Sequence, residues 1–241
     1  MAQMNVAASL RPFLGAAFPP VELPEQEMAL LADLQRILDT DVEPGATEVD
    51  RVGRYPTAAV ASLKRSGVLA SAVPKRFGGL GASNRFSAEA QVRMAAADSA
   101  VAQVFKVHDE LAREMFQYCP VEFGPHLARL LLHENVVIGL AVAENRSRVD
   151  APMQTTAVEQ PDGSFVVNGT KIYTTGAAEA DYIALWAFDT AAGAEDFRLG
   201  LRLNLIPPTA PGVTVHRDWD ALGQRGTDSG TVTFDDVRTD P

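Results

Sequence analysis

The chain has 241 residues, 31 acidic against 21 basic, and a formal net charge of −10. That balance argues against binding nucleic acid or docking on an anionic membrane, and no window approaches the roughly 18 apolar residues of a spanning helix. Cys119 is the only cysteine, which excludes an intramolecular disulfide and any cysteine-based zinc or iron–sulfur cluster. The N-terminus lacks the charged start and apolar run of a signal peptide, so a cytoplasmic setting is expected.

Apolar residues recur at helical spacing up to about residue 135 and alternate with polar ones beyond it. This predicts a loose tail over 1–23, a helical domain over 24–135 and an antiparallel, barrel-like β-domain over 136–241. The class is α+β with segregated halves. The first helix is expected from Pro24 to Thr40, with Met28, Leu31, Leu34, Ile37 and Leu38 on one stripe, ended by Pro44 and Gly45. A second runs from Thr57 to Arg65 and is capped by Gly67. Residues 74–81 carry three glycines and form a loop. A third helix begins near Ser87 with Val92 on its inward face. Ser99 to Tyr118 is the clearest helix: Val101, Val104, Phe105, Leu111, Ala112 and Met115 share a face, and Pro120 stops it. A short helix follows from Pro125 to His133.

In the second half, Pro161-Asp162-Gly163 and Asn168-Gly169 read as turns of a three-strand meander. Tyr182 to Phe188 is apolar on both faces and predicts a buried central strand. Leu199, Leu201, Leu203 and Leu205 alternate with Gly200, Arg202 and Asn204, which predicts a half-buried antiparallel strand. Val232 and Phe234 mark the last strand.

The chain has no P-loop, no dinucleotide fingerprint and no nucleophile elbow. His126 and His133 are seven residues apart on one short helix, about 10 Å along its axis, which is far for sharing a metal. His108 lies on the buried stripe of the long helix. It is either a core histidine or one that faces a ligand cavity.

Four stretches carry a more specific signal: PKRFGGLGAS at 74–83, GLAVAENRS at 139–147, NGTKIYTTGA at 168–177 and ALGQRGTDSGTVTFDDVRTDP at 221–241. In this order the chain resembles the acyl-CoA dehydrogenase superfamily from about Glu25 to its end. The resemblance implies a helical N-terminal domain, a β-barrel-like middle domain and a C-terminal four-helix domain, the last of which would begin where this sequence stops. A fragment, a subunit of a split enzyme and a non-catalytic remnant are all compatible with that ending.

The resemblance further implies a flavin, FMN or FAD. It would be bordered by Leu140, Val142 and Ala143 from one segment and by Tyr173 and Thr175 from another. The family usually has Thr or Ser where this chain has Ala143. The dehydrogenase pattern T-E-P-x-A-G-S-D is missing here. Glu144-Asn145-Arg146-Ser147 and the run from Asp218-Trp219 to Ser229-Gly230 instead resemble the dibenzothiophene-monooxygenase-like branch. That branch implies an oxygenation with O2 and reduced flavin from a separate reductase. It also implies a small-molecule substrate, expected against Trp219. The helix stripe turns His108 inward, where a catalytic role is expected in a cavity shared with Thr175, and the apolar face next to the third domain predicts a homo- or hetero-oligomer. The dehydrogenase branch would instead oxidise an acyl thioester.

Overall fold

The computed structural model describes residues 22–145, 153–194 and 197–239. The tail over residues 1–21 and the motif residues Arg146 and Ser147 lie outside the described residues. Helix α1 spans Glu25–Ile37, a single π-turn spans Leu38–Val42, and α2 spans Glu43–Val52. Pro44 and Gly45 therefore do not end the first helical run. Pro44 sits in the first turn of α2, where no intrahelical N–H bond is required of it. The run ends at Gly53 with φ +68°.

Helix α3 (Thr57–Ser66) buries Val60 and Leu63 and ends on Gly67 at φ +77°. Helix α4 (Asn84–Ala97) starts earlier than the sequence suggests. Its cap, Ser83, accepts from the Phe86 N–H, and Glu27 of α1 accepts from both the N–H and the hydroxyl of Ser83. The buried face of α4 is Phe86, Ala90 and Met94, so Val92 is left 43% exposed. Helix α5 (Ser99–Tyr118) is capped by Asp98, whose carboxylate accepts from the N–H groups of Ala100 and Val101. All six apolar residues assigned to its inward face are buried. Helix α6 (Gly124–Leu132) buries Leu127, Leu130 and Leu131.

Seven strands follow: β1 (Ile138–Ala141), β2 (Thr156–Glu159), β3 (Phe165–Lys171), β4 (Tyr182–Asp189), β5 (Leu201–Ile206), β6 (Val213–Val215) and β7 (Val232–Thr239). They form one sheet in the order β1-β4-β2-β3-β7-β6, with β5 on β4. The sheet is mixed, not antiparallel throughout. Strand β4 runs parallel to β1 over Tyr182–Leu185 and parallel to β2 over Phe188–Asp189. Strands β1 and β2 are thus two consecutive stretches in one direction along β4, separated by the excursion over residues 142–155.

The turn at Pro161-Asp162-Gly163 joins β2 to β3 as expected, with Gly163 at φ +83°. Asn168-Gly169 is not a turn. It lies within β3, where the register with β7 shifts, and Gly169 has φ +152°. That is a bulge, which glycine permits at no side-chain cost. In β5 the leucine row is not the innermost face. Asn204 and Ile206 are buried, whereas Leu201 is 36% exposed. Leu203 and Leu205 pack on a cluster shared by α5, α6, Ile138 and Ala184. Both faces of β5 are partly covered, so alternation alone does not reveal which is inner.

That shared cluster joins helices to sheet. It continues in hydrogen bonds, since Asp181 accepts from the Val137 N–H at 2.6 Å and from the Lys64 ammonium at 2.7 Å.

Candidate functional site

The two segments singled out in the sequence meet at the end of β1. The Leu140 N–H donates to the Thr175 carbonyl, and the two residues form an isolated antiparallel bridge. This approach depends on Gly139, because a Cβ there would stand 2.5 Å from the Thr175 oxygen. One step further on, the Ile172 N–H donates to the Ala143 carbonyl. The two segments therefore run side by side as one strip of backbone, on which Val142 is 37% and Tyr173 65% exposed, Thr175 is buried, and Leu140 is partly buried against the helix–sheet cluster.

A buried ion pair holds the strip's base. Lys171 and Glu144 lie 2.7 Å apart with side chains 0% and 1% exposed. Lys171 also donates to the Val142 carbonyl, and Glu144 accepts from the N–H groups of Gln154 and Thr155. Burial pushes the Glu144 pKa up, but the N–H of Gln154, the ammonium of Lys171 and the N–H of Thr155 outweigh it and hold the pKa at about 2. Sequence reading named neither residue as a site residue. The available signal was phase: Lys171 shares the inward parity of Phe165 and Val167 on β3, and a lysine there needs a buried acid.

The second wall comes from the loop before β7. The Thr174 N–H donates to Gly230, Gly176 to Thr227, and Ala177 to Asp228. Asp228 also accepts from the Ala178 N–H at 2.7 Å. This lacing holds Tyr173 at φ +55°, a left-handed conformation that is rare for a bulky residue and costs of order 1–3 kcal/mol. The Thr175 hydroxyl, in a residue 8% exposed, lies 3.1 Å from that of Ser229, which lies 2.7 Å from that of Thr227.

Tyr173 meets Trp219 edge to face, with ring centroids 6.1 Å apart. Trp219 in turn walls a cavity of about 460 Å³ between α2, the Gly53–Ala59 segment and the loop over 217–228. Tyr55 lines it, and its buried hydroxyl has no hydrogen-bond partner among the described residues. Arg225 ties the cavity's edge to the helical half by donating to the Asp50 carbonyl.

His108 stands apart from all of this. It is fully buried, its Nε2 lies 2.7 Å from the Leu69 carbonyl, and its Nδ1 lies 3.1 Å from the Ile138 nitrogen. An amide can only donate and a carbonyl only accept, so the proton sits on Nε2. Burial, the largest influence, pushes its pKa down, so the ring is neutral. Both nitrogens are committed to backbone, and the catalytic role expected of His108 has no geometric basis. It stitches α5 to the Val68–Ala70 turn and to β1.

A helical layer is joined to a curled mixed sheet, and the two motif segments meet at one strand end beside the loop before β7. The comparisons give that architecture its family. Residues 24–122 match the N-terminal domain model of acyl-CoA dehydrogenases, and residues 139–237 match the middle domain model. Dibenzothiophene monooxygenase of Rhodococcus erythropolis is 34% identical over 197 residues, covering 81% of this chain and 46% of that protein. A probable FMNH2-dependent monooxygenase of Pseudomonas putida is 30% identical over 222 residues, covering 92% of this chain and 52% of that protein. The FMN-bound structure of TdsC from Paenibacillus sp. A11-2 superposes with a TM-score of 0.81 at 33% identity, covering 88% of this chain and 52% of that one. The chain belongs to the acyl-CoA dehydrogenase family, and its similarity runs to the dibenzothiophene-monooxygenase branch. It spans about half the length of the curated relatives it matches.

Proposed function

We propose that this chain supplies the helical and middle portions of a reduced-flavin-dependent monooxygenase that oxidises a small molecule with O2. The observation that carries the reading is the strip at the end of β1. There Leu140, Val142, Ala143 and Tyr173 offer apolar surface and Thr175 a hydroxyl at its edge. A flat ring with a polar rim fits such a surface. When bound, the flavin supplies electrons and the means of activating O2. The chain's residues orient the ring and keep one face dry. Ala143 offers no hydroxyl, so the polar side-chain contact falls to Thr175.

FMN is favoured over FAD because similar proteins are FMN-bound or FMNH2-dependent by name. A flavin reductase is then the partner that delivers the reduced cofactor. The cavity walled by Trp219 is the substrate's place, next to the strip through the Tyr173–Trp219 contact. Completion of the uncovered strip by another protein segment, in the same or another chain, accounts for the exposure of Val142 and Tyr173.

Anaerobic titration with FMN and with FMNH2, followed by flavin fluorescence and calorimetry, tests the reading. Binding should weaken by about tenfold in Tyr173→Ala, the loss expected for one buried aromatic contact. Indifference to Tyr173→Ala and to Thr175→Val alike would refute the assignment of the strip.

A further inference from the structure

Three hydroxyls run inward from the strip. Thr227 donates to the Gln224 carbonyl at 3.0 Å, a bond whose direction is forced because a carbonyl has no proton to give. A hydroxyl has one proton, so the 2.7 Å contact between Thr227 and Ser229 must be donated by Ser229. The 3.1 Å contact between Ser229 and Thr175 must then be donated by Thr175. With every bond made, all three protons point away from the strip. Thr175 meets its ligand with lone pairs only.

From this we infer that the Thr175–Ser229–Thr227 chain makes the strip select a hydrogen-bond donor, and so the reduced form of the cofactor. The inference rests on the proposed flavin site. In the proposed site the N5 edge of the ring is set against Thr175, and reduction turns N5 from an acceptor into an N–H donor. Reduced flavin therefore adds a fourth bond to an intact chain. Oxidised flavin gains a bond from Thr175 only if all three hydroxyls turn round and Thr227 releases Gln224. The Gln224 carbonyl also accepts from the Thr227 N–H and from the Trp219 indole, each at 3.1 Å, so it remains satisfied after that release. The chain is thus biased rather than locked, and the bias is one neutral hydrogen bond, about fivefold in affinity. For a two-electron couple that corresponds to about 20 mV.

The test is the ratio of anaerobic dissociation constants for FMN and FMNH2, with the potential of the bound flavin as a second readout. Wild type should hold FMNH2 more tightly. Thr227→Val removes the anchor, frees the other two hydroxyls to turn, and should lower the preference about fivefold without loss of melting temperature beyond a few degrees. Thr227→Ser should restore it. A preference for FMN in wild type, or an unchanged ratio in Thr227→Val, would overturn the inference. Neutron diffraction from a deuterium-exchanged crystal reads the chain without flavin. A Thr227 deuteron aimed at Gln224 is the expected result, and one aimed at Ser229 sinks the polarity argument. Failure of either flavin form to bind would count against the flavin site itself, while the neutron result still decides the direction of the chain.

Discussion

Lys171→Met removes the cation from the most buried charge pair in the described residues while nearly keeping its length. Glu144 then retains two backbone N–H bonds, but its carboxylate loses the ammonium at 2.7 Å inside a site where both side chains are essentially inaccessible. Breaking one half of a buried pair costs about 3–5 kcal/mol. The lowered pKa of Glu144 gives a figure of similar size, shared between Lys171 and the N–H donors of Gln154 and Thr155. A fall in the Glu144 pKa from its ordinary 4.5 to about 2 corresponds to about 3 kcal/mol of stability.

The sign follows from proton counting. The folded state holds Glu144 ionised more strongly than the unfolded state does. That stability is complete above about pH 4.5 and is lost as pH falls toward 2. Lys171→Met should lower the melting temperature at pH 7 by about 10 °C. It should also move the acid-induced loss to higher pH, because Glu144 then takes up a proton more readily in the folded state. Urea unfolding of both proteins from pH 3 to pH 7 makes the measurement. Equal midpoints and parallel pH profiles would refute a structural ion pair.

Three further outcomes are expected. Gly139→Ala should separate β1 from the Thr175 backbone, because its Cβ would stand 2.5 Å from the Thr175 oxygen; flavin titration should show a larger loss than the accompanying destabilisation of about 1–3 kcal/mol. His108→Phe should leave the Leu69 carbonyl and the Ile138 N–H unpaired and destabilise by about 2–5 kcal/mol in urea unfolding. In wild type, stability should also fall as pH drops below 6.5, because the unfolded imidazole takes up a proton that the buried one resists, and the Phe variant should lack that slope. Gly169→Ala, at φ +152° with Thr155 Cα 2.6 Å from the new Cβ, should cost more than a simple glycine-to-alanine change in a strand and show it as a lower melting temperature.

The stripe of α5 was legible because burial follows a 3.6 period, and every residue assigned to its inner face is buried, whereas Met28, assigned to the stripe of α1, is 47% exposed and Val92 of α4 is 43% exposed. The π-turn was not legible, because Pro44 reads as a stop unless it is known to open a new helix. Strand direction was equally hidden. Whether β1 and β2 run with or against β4 is decided by where the chain goes between Val142 and Thr155, and alternation carries no such information. Family motifs brought Leu140 and Thr175 to one place, and the backbone bridge between them agrees with that. Periodicity predicted that His108 faces inward, but the carbonyl and amide it faces belong to distant segments. The hydroxyl chain was invisible for the same reason, since Thr175 and Ser229 are 54 residues apart.

The interrupted strand has a consequence for how such a protein can change. Along β4, the chain breaks off at Ala141 and resumes at Thr156 in the same direction, so the sheet treats the two pieces as one strand. Glu144 draws the mouth of the excursion closed by gripping Gln154 and Thr155. Between those anchors, length is nearly without thermodynamic consequence, since doubling a loop adds only about 0.6 kcal/mol to its closure. Evolution, or an engineer, can therefore rewrite the sequence between Glu144 and Gln154 as a cassette. The register of every strand stays in place because the knot that fixes it is tied outside the rewritten part.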